Sequence, residues 1–129
     1  MFSRQDNRKP LSALEQSVMD YVWANPDCTA DQVREKRLKA LKDSTVRTLL
    51  RRLEEKGYVT HSVDGRTYLY RAAEGRQNVA ADAVRSIVDR FCGGSVEQLL
   101  VGMVDNDVID PTELEQLARK IAFRKEGKR

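Results

Sequence analysis

Residues 44–70 read STVRTLLRRLEEKGYVTHSVDGRTYLY, and the fold turns on this stretch. Placed on a helix, Val46, Leu49, Leu50 and Leu53 fall on one side, and Ser44, Arg47, Thr48, Arg51 and Arg52 on the other. The first side is core. The second is polar and carries no acid until Glu54 and Glu55. Gly57 follows as the expected helix end, because glycine adopts a left-handed backbone at little cost. Two β-like runs, YVTHSV and RTYLYR, then flank Asp64-Gly65. A two-residue Asp-Gly loop suits the twist of a hairpin. It would pair Val63 with Arg66, His61 with Tyr68 and Val59 with Tyr70, with all six side chains on one face. Asp64 and Arg66 stand at the tip.

Upstream, Ser12 and Glu15 form a capping box, and Leu14, Val18, Tyr21 and Val22 predict a buried helix face. Asn25-Pro26 ends that helix. Thr29 and Gln32 open a short second helix to about Ala40, and Asp43-Ser44 offer caps for the third. Three helices and a hairpin, in that order, predict a winged helix-turn-helix. AAEGRQN reads as a connector. Beyond it the pattern is helical: Ala80, Ala83, Val84, Ile87, Val88 and Phe91 make one stripe. Gly93-Gly94 breaks the chain. Ser95 with Gln98 suggests a third capping box, ahead of Val96, Leu99, Leu100, Met103 and Val104. Asp110-Pro111 opens a last helix with Leu114, Leu117, Ala118, Ile121 and Ala122 in its stripe. The predicted class is mainly α. A flexible start (1–10) precedes a winged-helix domain (11–73), a helical domain (74–124) and a loose basic tail (125–129).

Charge is unevenly spread. Residues 1–72 hold 14 Lys/Arg against 10 Asp/Glu, and residues 73–129 hold 9 against 10. A basic front half fits an anion-binding module. The two cysteines, Cys28 and Cys92, and the one histidine, His61, supply neither a disulfide framework nor a metal-ligand cluster. No metal, cofactor or catalytic set is expected, so the chain does not read as an enzyme. No apolar run reaches the ~18 residues of a membrane span, and the start lacks a signal-peptide core. A cytoplasmic protein without direct membrane binding is expected.

Arginine pairs with guanine edges or phosphates through its forked donors, and threonine reaches phosphate or a thymine methyl. The polar side of the third helix therefore suits a recognition helix entering the DNA major groove by its N-terminal end. The competing reading is a solvated helix with charge pairs such as Arg51 with Glu55. The attached hairpin favours DNA, because Arg66 at its tip stands where a phosphate contact belongs. Tyr68 and Tyr70 read as packing residues, and His61 as an ordinary strand residue.

The segments LEQSVMDYVW, STVRTLLRRLEEKGYVTH, DGRTYLYR, FCGGSVEQLL and TELEQLARKI resemble the BlaI/MecI/CopY family of bacterial penicillinase repressors. They match in order and spacing over about residues 11–123. The resemblance implies an N-terminal winged helix, a C-terminal dimerisation domain, and repression of β-lactamase or other resistance or stress genes at palindromic operators in double-stranded DNA. It implies DNA contacts at Ser44, Thr45, Arg47, Thr48 and Arg51, with the wing at Arg66; Arg52 joins the expected DNA-binding set from its place on the polar side of the helix. The resemblance implies homodimer contacts from Val84, Ile87, Val88, Phe91, Val96, Leu99, Leu100, Met103, Leu114, Leu117 and Ile121. Copper-sensing members carry paired Cys-x-Cys motifs where this chain reads FRKEGKR. Penicillin-responsive members are cut at an Asn-Phe bond after a membrane sensor-protease system is triggered. Here Gly102-Met103 occupies that place, so the inducing step is either a cut at this altered site or release by a ligand.

Two other function classes fit a winged helix: a protein-interaction module and a small-molecule-sensing regulator. The acid-free run from Ser44 to Arg52 favours DNA over the first, and the second requires a pocket in the helical domain.

Overall fold

A computed structural model describes residues 8–127, so residues 1–7 of the expected flexible start and 128–129 of the expected tail lie outside the described residues. Helices α1 (Ala13–Ala24), α2 (Ala30–Arg37) and α3 (Asp43–Glu55) lead into strands β1 (Val59–Asp64) and β2 (Thr67–Ala72). Helices α4 (Arg76–Phe91), α5 (Val96–Asp105) and α6 (Pro111–Gly127) follow. This is the winged-helix order. The first residues of the expected connector AAEGRQN stay outside a helix, whereas Arg76, Gln77 and Asn78 already belong to α4. Residues 125–127, expected in a loose tail, continue α6.

The chain divides into two compact units, one ending at Ala83 and the other beginning at Val84. The first unit holds the hydrophobic core. Val18, Met19 and Val22 of α1, Val33 of α2, Val46, Leu49, Leu50 and Leu53 of α3, and Tyr58, Val59 and Tyr70 of the hairpin are buried together. The first turn of α4 belongs with them, since Val79 packs on this core. Trp23 Nε1 donates to the Glu74 carbonyl at 3.0 Å, and Arg8 reaches Glu74 at 2.6 Å and Asp82 at 3.0 Å. These contacts draw the start of α4 into the first compact unit.

The local signals in the first unit act as expected at most ends. Both capping boxes, Ser12 with Glu15 and Thr29 with Gln32, are complete. Gly57, at φ +87°, closes α3: its N–H donates to the Glu54 carbonyl and that of Tyr58 to Leu53, so the last carbonyls of the helix are satisfied. Two details of α1 and α3 differ. Leu14 is exposed, while Met19 and the Glu15 carboxylate take buried positions. Helix α3 starts one residue early: Lys42 is its N-cap, without a side-chain hydrogen bond, and Asp43 lies inside the first turn.

The hairpin register is also corrected. Val63 pairs with Tyr68, His61 with Tyr70 and Val59 with Ala72, leaving Gly65-Arg66 as the loop. Gly65 has φ +63° and Arg66 is not among the positive-φ residues. A glycine first in the loop serves a type II′ turn; the expected Asp64-Gly65 loop would have been a type I′ turn, which is equally sound turn chemistry. The slip moves β2 by two residues, so side chains keep their faces and only their partners change. Behind β2, Cys28 adds a single bridge: its N–H donates to Tyr70 O at 3.1 Å and its carbonyl accepts from Tyr70 N at 2.7 Å.

In the second unit, the α4 turn ends on Gly93 and Gly94, both at positive φ. Ser95 caps α5 by accepting from Gln98 N, one half of the expected box. Asp110 Oδ2 accepts from Thr112 and Glu113 N–H at the start of α6. Among the described residues of this unit Val88 alone is a buried hydrophobic.

Candidate nucleic-acid interface

Helix α3 sorts its side chains as the sequence requires. Val46, Leu49, Leu50 and Leu53 are buried, while Ser44, Thr45, Arg47, Arg51 and Arg52 are exposed and Thr48 is half-buried. The exposed side is less free of acid than its sequence suggests. Arg47 Nε donates to Asp43 Oδ2 at 2.8 Å, and Arg47 also lies 3.6 Å from Asp31 of α2. The hydrogen bond from Arg47 holds the Asp43 carboxyl below its ordinary range. Arg51 approaches Glu55 at 3.9 Å, so the charge pair set out as the competing reading does form. Exposed pairs of this kind are worth roughly 0–1 kcal/mol, so a polyanion can displace them. Thr48 Oγ1 donates to the Ser44 carbonyl at 2.9 Å.

Beside α3 the wing stands out into solvent. Arg66 occupies the turn, and Val63 and Tyr68, which pair across the strands, are exposed. Arg66, Thr67, Tyr68, Arg47 and the start of α2 line a small concavity of about 180 Å³. A larger cleft of about 330 Å³ lies between α3 and the wing, lined by Arg47, Thr48, Arg51, Glu54, His61, Tyr68 and Tyr70. Its floor is organised by His61. The Nδ1–H donates to Glu54 Oε1 at 2.7 Å, and the ring stacks on Tyr68 at 4.2 Å between centroids with 11° between planes. Tyr70 is buried, as a packing residue should be, and burial raises its phenol. The Tyr68 ring is instead exposed on the cleft. The residues from α3 and the hairpin tip expected to act together are therefore brought to one side of the first unit.

The role of His61 was missed by reading the strand alone. The available signal was its position on the cleft face of the hairpin, opposite the last turn of α3. Cys28 is buried and burial raises its thiol, which suits a small core residue rather than a reactive one. Among the described residues no group of His, Cys, Asp and Glu could hold a metal ion, and no helix is long and apolar enough to cross a membrane.

The second unit carries the other expected set. Val84, Ile87, Phe91, Val96, Leu117 and Ile121 are exposed, and Leu99, Leu100, Met103 and Leu114 are half-buried. Val88 departs from the set, being buried within the chain itself. Gly102 and Met103 lie inside α5, where Gly102 O accepts from Asn106 Nδ2 at 2.7 Å.

Comparison with known proteins gives the same architecture a lineage. The penicillinase repressor family matches residues 11–122. An uncharacterised 16.5 kDa protein of Latilactobacillus sakei is 28% identical over 123 residues, covering 92% of this chain and 83% of that protein. The penicillinase repressor of Bacillus licheniformis is 24% identical over 92% of this chain and 94% of its own. That of Staphylococcus aureus is 23% identical over 83% of this chain and 86% of its own. A match that runs from the start of the first helix almost to the end of the last leaves one assignment: the chain belongs to the penicillinase repressor family and is a winged-helix transcriptional repressor rather than an enzyme.

Proposed function

We propose that this repressor binds a palindromic operator in double-stranded DNA as a homodimer and controls β-lactamase or other antibiotic-resistance or stress genes. One observation carries the reading. The Ser44, Arg47, Thr48, Arg51 and Arg52 side of α3 stays open beside an exposed wing while the apolar side of the same helix is buried. In this reading the N-terminal half of α3 enters the major groove, and Arg47, Thr48 and Arg51 meet base edges and phosphates. Arg66 meets the backbone from the wing. The exposed apolar side chains of α4, α5 and α6 support the dimer, since a unit of this size gains a core by pairing with a copy of itself. The names of the relatives support the choice of target genes. Induction would follow from a cut near Gly102-Met103 by a membrane sensor-protease system, which would remove part of the α5 stripe. Release by a ligand is the rival outcome.

The test is selection from random duplexes, followed by binding at several salt concentrations. A palindrome with half-sites about one helical turn, ~34 Å, apart or a multiple of this is expected. Affinity should fall steeply with salt as counterions are released. Selection without a common sequence, together with salt-independent or absent binding, would favour a protein-interaction module instead.

A further inference from the structure

We infer that His61 is a positioning residue for DNA docking, joining the wing to the recognition helix through Glu54, and that the proton it takes up tightens docking as pH falls. The inference rests on the reading that α3 and the wing form the DNA-facing side.

The geometry supplies three links. His61 belongs to β1 and Glu54 to the last turns of α3, so the Nδ1–H bond to Glu54 Oε1 (2.7 Å) and Oε2 (2.9 Å) ties the wing to the helix it must accompany. Tyr68 of β2 stacks flat on the ring and fixes its plane, and Tyr70 meets it at a tilt of 49° with 6.0 Å between centroids. The site is open to solvent: the His61 side chain is 28% exposed and that of Glu54 37%.

The charge argument follows from the same contacts. An Nδ1–H donates to the carboxylate whether the ring is neutral or charged, so the tie itself does not depend on pH. The net charge of the pair does. With a neutral ring the pair carries the Glu54 charge, which lines the same cleft as Arg47 and Arg51 and repels an incoming phosphate. With a protonated ring that charge is cancelled while the wing stays in place. The other charged groups near the ring are Asp27 and Arg71, on the outer side of the hairpin, and they neutralise each other through bonds of 2.8 and 2.9 Å. Bringing DNA phosphates to the cleft favours the charged ring, so binding and proton uptake assist each other. Histidine is the side chain whose ordinary charge change falls between about pH 5 and 8, and His61 is the only one in the chain.

The experiment measures binding of a fluorescent random-sequence duplex to the 129-residue chain between about pH 6 and 8, at a fixed ionic strength of about 0.1 M. One coupled proton changes affinity by at most about tenfold per pH unit. The wild type should tighten about three- to tenfold as pH falls through this range. His61→Gln keeps an amide donor for Glu54 and cannot titrate, so its profile should be flat. Glu54→Gln should bind more tightly than wild type at the upper end and show a shallower slope, a readout that a purely structural role would not move. A flat wild-type profile, or the same slope in His61→Gln, overturns the coupling while leaving DNA binding intact. Absence of binding at every pH overturns both this inference and the reading beneath it.

Discussion

Arg47 and Arg51, one turn apart on α3, face different competition. Arg47 is engaged by Asp43 at 2.8 Å and Asp31 at 3.6 Å, whereas Arg51 meets the fringe of Glu55 at 3.9 Å. Arg51 is thus the cheaper arginine to redirect toward a base, and Thr48 beside it presents a methyl group while its hydroxyl is held by Ser44. Under the proposed docking, Arg51→Ala and Thr48→Ala should each weaken binding to the selected operator by roughly 1–3 kcal/mol and relax its base preference. Arg66, on the wing turn, should behave differently. Its replacement by alanine should weaken all duplexes alike and reduce the salt slope by about one. Titrations of operator and scrambled duplexes at several salt concentrations separate these cases. Altered base preference in Arg66→Ala, with none in the helix variants, would reverse the assigned orientation.

At the level of elements, α1 and α3 are joined by an ion pair as well as by packing. Lys56 Nζ, at the end of α3, lies 2.7 Å from Glu15 Oε1, and Glu15 is buried in the first turn of α1. Burial pushes the Glu15 carboxyl up, but the bonds from Lys56 and Ser12 outweigh it and hold the group below its ordinary range. A carboxyl held low in the folded state stabilises the fold above the unfolded value, and that contribution fades as pH falls through the folded one. Lys56→Met leaves the carboxylate buried without its cation. It should cost about 1–3 kcal/mol at neutral pH, the range for an unsatisfied buried partner, at the lower end because the Lys56 side chain is partly exposed. The gap to wild type should narrow as the medium is acidified and Glu15 becomes protonated. Urea unfolding at neutral pH and near pH 4 measures both quantities, and an equal deficit at the two would exclude the ion pair as its source.

For the whole molecule, the contrast between the two units matters most. The first buries its own core, while the second leaves Phe91, Val96, Val108, Ile121 and Phe123 more than half exposed. Under the proposed dimer, a charge on this surface should separate the copies without unfolding the first unit. Ile121→Asp should shift sedimentation from dimer to monomer. It should also weaken operator binding by about 10²- to 10⁴-fold, the advantage of two linked reading heads. Val88 is a poor probe of the same question because it is buried within the chain, and its replacement would disturb folding. A stable dimer in Ile121→Asp would move the interface elsewhere on the second unit.

Much of the architecture could be read from residues close together in the chain. Helical spacing picked out Val46, Leu49, Leu50 and Leu53, the pairs Ser12–Glu15 and Thr29–Gln32 marked helix starts, and Gly57 marked an end. These signals work because capping bonds and apolar stripes repeat within one or two turns. The open arginine side of α3 was legible for the same reason. Other features arose only when distant segments met. Asp31 comes to Arg47 from another helix, Cys28 bridges Tyr70, and Lys56 finds Glu15 across the core. His61 and Glu54 are near in sequence, yet they meet only because the wing folds back along α3. The hairpin slip has a related cause. Asp64-Gly65 and Gly65-Arg66 both satisfy the local turn chemistry and leave side chains on the same faces, so local preference could not separate them. Packing could, because the observed register lets Tyr70 pair with His61 on one strand and bridge Cys28 on the other side.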